Sequence, residues 1–167
     1  MIRLRSLLLK DIPGMLEWMH DENVIRFFRF DSRGYGEAEA RSFIENAGSD
    51  RQNLHFAIVN EADEYQGTIS LKNMDLENRN AEYAICLRSS AMGRGTAKEA
   101  TDLLLSRAFD ELGLHKVYLN VLAANKRAIH FYEKYGFRYE GVLKEQVFHR
   151  GVYQDLLYYA VFCSGGL

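Results

Sequence analysis

The run Met92-Gly93-Arg94-Gly95-Thr96-Ala97 is the part of this chain best suited to hold a charged ligand. It lies between a predicted strand and a predicted helix. Glycines at 93 and 95 let backbone N–H groups point inward without side-chain obstruction. Thr96 is followed three residues later by Glu99, the spacing of a capping box that would start the helix here. Free amides at a helix N-terminus, at the positive end of its dipole, form a phosphate site. Arg88, Arg94 and Lys98 add positive charge nearby. Taken alone, Gly-x-Gly fits a tight strand-to-helix turn that binds nothing equally well. A Walker loop would end in Gly-Lys-Ser/Thr, which is missing. A dinucleotide fingerprint would need a third small residue inside a βαβ unit, usually near the start of the fold.

Strand alternation makes the segment before the loop readable. Glu82, Ala84 and Cys86 share one face, and Tyr83, Ile85 and Leu87 share the other. The first face is small except for its carboxylate, so Glu82 is a candidate general base, acting through a water. The competing reading is a solvent-facing or salt-bridged strand glutamate, the default for carboxylates. Tyr132 sits at helical spacing with Ile129 and Phe131, which by itself suggests a core aromatic. Tyr135 is assigned to packing. Asn125 has the character of a helix cap. Cys86 reads as a buried, inert thiol, since no histidine adjoins it in sequence. None of the five histidines is assigned a role.

These residues need a frame. A first strand is expected in the alternating run from Ile2, and a helix over 11–20 with Pro13 in its first turn, where proline is tolerated. Residues 21–36 read as irregular. A second helix covers 37–47. Strands at 54–60, 65–74 and 80–87 are joined by short polar connections, which favours antiparallel pairing. A long helix from Thr96 to Leu112 stops at Gly113. A strand covers 116–121 and a helix covers 126–135, ending at Gly136. Strands at 137–148 and 152–162 surround a turn at Arg150-Gly151. The expected class is α/β of the α+β type, not the strict alternation of a fully parallel sheet.

The chain has 167 residues, 47% hydrophobic and 26% charged. This composition predicts one globular domain over residues 1–167. A formal net charge of −2 argues against nucleic acid as a partner. No apolar run reaches the roughly 18 residues of a membrane span, and the N-terminal run lacks the order of a signal peptide. Two cysteines are too few for a disulfide framework. A cytoplasmic protein with reduced thiols is the simplest expectation. No Cys or His pair has zinc spacing, so no metal is expected.

The run Ala81-Glu82-Tyr83-Ala84-Ile85-Cys86-Leu87, the glycine loop, and Asn125-Lys126-Arg127-Ala128-Ile129-His130-Phe131-Tyr132-Glu133-Lys134-Tyr135-Gly136-Phe137 together resemble the GNAT superfamily of N-acetyltransferases. The similarity is greatest to the branch holding ribosomal-protein, spermidine and amino-sugar acetyltransferases. It implies a mixed, mostly antiparallel sheet with a central splayed parallel strand pair and helices on both faces. It implies acetyl-CoA as cosubstrate and a primary amine as acceptor, attacking directly in a ternary complex. The acceptor would be a small molecule, such as an amino sugar or a polyamine, or a protein N-terminus. Arg26 and Arg29 disfavour a polycation by charge repulsion. By resemblance, exposed backbone groups at Ile85, Cys86 and Leu87 pair with the pantetheine arm, and one of the amides supplies the oxyanion donor. Residues Met92, Gly93, Arg94, Gly95, Thr96 and Ala97 would cradle the pyrophosphate, and Asn125 would contact the cofactor. Glu82 and Tyr132 would be base and acid. Met92 stands where the family usually has Gln or Arg, so a weaker phosphate contact is expected, with Arg94 or Arg88 compensating. Folds of this kind often dimerise, which leaves room for a homodimer. A coenzyme A-binding sensor without turnover is the alternative.

Overall fold

The computed structural model describes residues 1–164. The strands are β1 (Arg3–Ser6), β2 (Leu54–Val59), β3 (Tyr65–Asp75), β4 (Asn80–Leu87), β5 (Lys116–Leu122), β6 (Arg138–His149) and β7 (Val152–Phe162). The helices are α1 (Ile12–Met19), α2 (Glu22–Ile25), α3 (Glu37–Ala47), α4 (Thr96–Ser106) and α5 (Lys126–Tyr135). One seven-stranded sheet runs β1-β2-β3-β4-β5-β7-β6. Every pairing in it is antiparallel except that of β4 with β5. The mixed sheet with one parallel pair agrees with the sequence expectation.

Local chemistry accounts for most boundaries. Asp21 caps α2 by accepting the Asn23 amide at 2.9 Å, so part of the stretch expected to be irregular is helical. The helix expected over 96–112 is α-helical only to Ser106 and continues as a π-helical turn over Arg107–Glu111. Gly113 then takes φ +65, the left-handed conformation that favours glycine at a helix stop. The turn between β6 and β7 has positive φ at both Arg150 and Gly151, as a tight hairpin turn requires.

The sheet separates two cores. On one face, Tyr83, Leu87, Leu104, Val117, Leu119, Phe137 and their neighbours pack with α4 and α5. On the other, Met15, Trp18, Ile25, Ala57 and Val59 pack with α1–α3. Met92 packs against both clusters, so the first residue of the glycine loop anchors it to the cores on both faces of the sheet. No described helix is long and apolar enough to cross a membrane.

Candidate active site

Strands β4 and β5 pair at only three rungs, Asn80↔Lys116, Ala81↔Val117 and Glu82↔Tyr118. Beyond them the ladder ends, although β4 continues to Leu87 and β5 to Leu122. The remaining edge of β4 therefore faces an opening. The Arg88 amide donates to the Gln66 carbonyl at 2.9 Å, which sets the phase of the β3–β4 ladder. Hydrogen-bonded and non-bonded pairs alternate along an antiparallel ladder. From Gln66↔Arg88 and the register Gly67↔Leu87, Thr68↔Cys86, Ile69↔Ile85, the polar backbone groups of Cys86 point toward β3. Those of Ile85 and Leu87 point into the opening. This corrects the expectation for Cys86: its N–H and C=O are already used within the sheet. Its side chain packs against the α1–α3 core, and burial pushes its thiol pKa well up, consistent with an inert cysteine.

Met92, Gly93, Arg94 and Gly95 lead into α4. Gly93 and Gly95 have φ +73 and +83, and nothing lies within 4 Å of where a Cβ would sit on either. Such a backbone suits glycine and leaves its amides open to a ligand. Among the described residues, the N–H groups from Gly93 to Lys98 have no protein acceptor; the first bond back is from Glu99 N to Gly95 O. These amides fit an anionic pyrophosphate at a helix N-terminus. The Thr96–Glu99 capping box does not form. Gly95 occupies the cap position, Thr96 is buried, and Glu99 accepts the Ile2 amide at 3.1 Å instead. Arg88 is committed to Glu17 at 2.5 Å and to the Tyr65 carbonyl at 2.9 Å, so it does not stand in for the missing family residue. Lys98 pairs with Asp102 at 2.8 Å. Arg94 is exposed and lines an open depression of about 410 Å³ with Thr96, Ile2 and Glu99.

Tyr132 is placed by the end of α5. Gly136 adopts φ +117, and the amides of Gly136 and Phe137 donate to the carbonyls of Glu133 and Tyr132 at 3.2 and 2.9 Å. This is the Schellman arrangement. It turns the buried Phe137 ring back onto Tyr132, with centroids 5.7 Å apart. The Tyr83 ring of β4 meets Tyr132 edge-on at 5.9 Å. At the other end, Asn125 caps α5 through the Ala128 amide at 3.2 Å, as expected. Other tyrosine hydroxyls here are engaged: Tyr83 with Thr101 at 2.9 Å, Tyr135 with Asp102 at 2.6 Å, Tyr159 with Glu133 at 2.9 Å. The Tyr132 hydroxyl has no polar protein partner among the described residues. Burial raises its pKa above that of a free phenol, which keeps the proton on.

Glu82 lies at the last parallel rung, on the sheet face opposite Tyr132. It is salt-bridged, as the competing reading of the sequence held. Lys72 Nζ is 3.2 Å from Oε1, Asn120 donates to Oε1 at 3.1 Å, and Asn73 donates to Oε2 at 2.8 Å. Its side chain is 12% exposed. Sequence reasoning missed these three partners. Lys72 could have been found from the β3–β4 register, but nothing in the sequence marks Asn73 or Asn120.

Residues 2–138 match the acetyltransferase (GNAT) domain family. The chain is 28% identical over 161 residues to a spermidine N(1)-acetyltransferase of Escherichia coli (strain K12), covering 96% of this chain and 86% of that protein. It is 38% identical over 90 residues to one from Vibrio cholerae, about half of either chain. The crystal structure of spermidine N-acetyltransferase from Vibrio cholerae in complex with CoA and spermine superposes with a TM-score of 0.87 at 26% identity, covering 96% of this chain and 95% of that one. These similarities favour turnover over a sensor without catalysis. The splayed strand pair, the open amides and the family match lead to one assignment: the chain belongs to the GNAT acetyltransferases and transfers acetyl groups from acetyl-CoA to an amine.

Proposed function

We propose that the acceptor is a polyamine, acetylated on a primary amine by direct attack, with Tyr132 as acid and Glu82 as base. The observation that carries this is the early end of the β4–β5 ladder, which opens the β4 edge between the two faces bearing Glu82 and Tyr132. Acetyl-CoA supplies an activated acyl group to that opening. The Ile85 and Leu87 backbone groups orient its arm, and the Gly93 to Ala97 amides hold its pyrophosphate. Glu82, directly or through water, takes a proton from the ammonium and passes it to solvent, leaving a neutral amine. The nitrogen–carbon bond forms and the carbon–sulfur bond breaks. Tyr132 gives its proton to the sulfur and is reprotonated by the second proton shed from nitrogen. An amide in the opening would carry the oxyanion.

The spermidine activity of the relatives supports a polyamine. Arg26 and Arg29 are both exposed, so their repulsion is screened by salt. Three carboxylates of the N-terminal region are paired with arginines: Glu17–Arg88, Glu22–Arg150 and Asp31–Arg33. A polyamine using any of them competes with the arginine already paired there. Cytoplasmic residence belongs to the same proposal, supported by two free cysteines. Free-thiol release from acetyl-CoA, measured across spermidine, spermine, an amino sugar and a peptide N-terminus, tests the acceptor. The highest kcat/KM is expected for a polyamine. Turnover of the amino sugar or peptide with none of either polyamine would overturn the assignment.

A further inference from the structure

Asn73 is one of few non-glycine residues here with positive φ, +50. It sits where the β3–β4 register shifts. Lys72 opposes Glu82 and Asp75 opposes Asn80, so Asn73 and Met74 together oppose Ala81. That is a β-bulge with one extra residue. Regular alternation would send the Asn73 side chain to the face opposite Lys72. The bulge turns it so that both residues reach the same carboxylate, Lys72 at Oε1 and Asn73 at Oε2. The bulge is itself held: the Asn73 amide donates to Asn53 Oδ1 and the Met74 amide to the Gln52 carbonyl, each at 2.9 Å. From the other side, Asn120 on β5 reaches Oε1 at 3.1 Å, across the last rung before the opening. Strained backbone and bulges gather at functional sites, where they aim side chains.

We propose that Asn73 and Asn120 are positioning residues that fix the Glu82 carboxylate for proton transfer, an inference that rests on Glu82 being the base. An ionised carboxylate has about four acceptor sites. Two donors occupy Oε1 and one occupies Oε2. The unshared site on Oε2 is left to take the proton from the amine or its water. Without Asn73 that oxygen is free to rotate away; without Asn120 the carboxylate is tied to β3 alone. The other ionisable groups facing Glu82 are Lys72 and, on β5, Tyr118, whose phenol pKa is raised first by burial and then by the Glu82 charge.

Asn73→Gly tests this, because glycine accepts positive φ while the donor is lost. The expected result is a fall in kcat of about tenfold, the effect of one lost hydrogen bond to a charged group. Acetyl-CoA affinity by calorimetry should stay within twofold of wild type. In a Glu82→Gln background, Asn73→Gly should cause no further fall, since it has no base left to position. Asn120→Ala, assayed the same way, is the second variant. A wild-type kcat in Asn73→Gly, or an equal fold-loss in both backgrounds, would overturn the positioning role. Loss in Glu82→Gln with none in Asn73→Gly refutes this inference and leaves Glu82 as base. Full activity in Glu82→Gln refutes the base reading itself.

Discussion

Removing the Tyr132 hydroxyl separates chemistry from packing more cleanly than any other single change here. The ring contacts to Tyr83, Phe131 and Phe137 survive in Tyr132→Phe. The hydroxyl makes no hydrogen bond to a described residue, so no partner is left unsatisfied. The stability change should be within about 0.5 kcal/mol. For a domain of this size that is a Tm shift of about 2 °C or less. If the hydroxyl protonates the departing thiolate, turnover should fall by roughly 10²–10⁴. That corresponds to about 3–5 kcal/mol of barrier at 1.36 kcal/mol per decade. Tyr135→Phe is the matched control. It loses the 2.6 Å bond to Asp102, an exposed contact worth about 1 kcal/mol or less, and should keep near wild-type turnover. Burial raises the Tyr132 pKa above the ~10 of a free phenol, so the protonated acid persists through the working range. Activity should therefore not decline below about pH 10 through loss of this proton. Single-turnover thiol release under acetyl-CoA saturation is the assay. Wild-type single-turnover rates in Tyr132→Phe would refute the reasoning and leave Tyr132 a packing residue.

Gly95→Val should weaken acetyl-CoA binding at least tenfold, since φ +83 disfavours a β-branched residue by about 1–2 kcal/mol and the new side chain would occupy the cradle; unchanged affinity by calorimetry would remove the loop from the cofactor site. A Cβ on Gly67 would collide with the Cys86 carbonyl and approach Leu87 Cα at 2.9 Å. Gly67→Ala should cost at least about 1–3 kcal/mol and lower the Tm by several degrees, and an unaltered melt would refute it. Asp11 is 2% exposed and accepts two bonds from Arg5, at 2.8 and 2.9 Å, plus the Leu8 amide. Asp11→Ala should cost about 3 kcal/mol in denaturant unfolding, because the Arg5 guanidinium loses its bidentate partner and keeps only Asp63 as a carboxylate, beside the Ser6 carbonyl; a loss below about 1 kcal/mol would show the pair to be unimportant. Glu82→Gln should lower kcat/KM by a factor that shrinks at high pH, where more amine arrives neutral; an equal loss at every pH would assign Glu82 to substrate positioning instead.

The amino-acid sequence by itself determined most of the elements, though not α2 or the π-helical end of α4, and it determined the open loop. Helix caps and stops depend on residues a few positions apart, so Asn125, Gly113 and Gly136 were legible directly. The same holds for the glycines at 93 and 95 and for the tight turn at Arg150-Gly151. Alternation placed Glu82 and Tyr83 on opposite faces, and the resemblance singled out Tyr132. Only the tertiary structure decided how these pieces engage. Glu99 abandons its local capping box for the amide of Ile2, 97 residues away in sequence. Arg88 turns to Glu17, 71 residues away, rather than to the loop. Strand register sends the Ile85 and Leu87 backbone groups into the opening and those of Cys86 into the sheet. A bulge and a neighbouring strand bring Asn73 and Asn120 to Glu82, the latter 38 residues distant. Propensity and capping act over one or two turns of chain, whereas register and charge pairing are chosen when distant segments compete for the same donors and acceptors in the packed state.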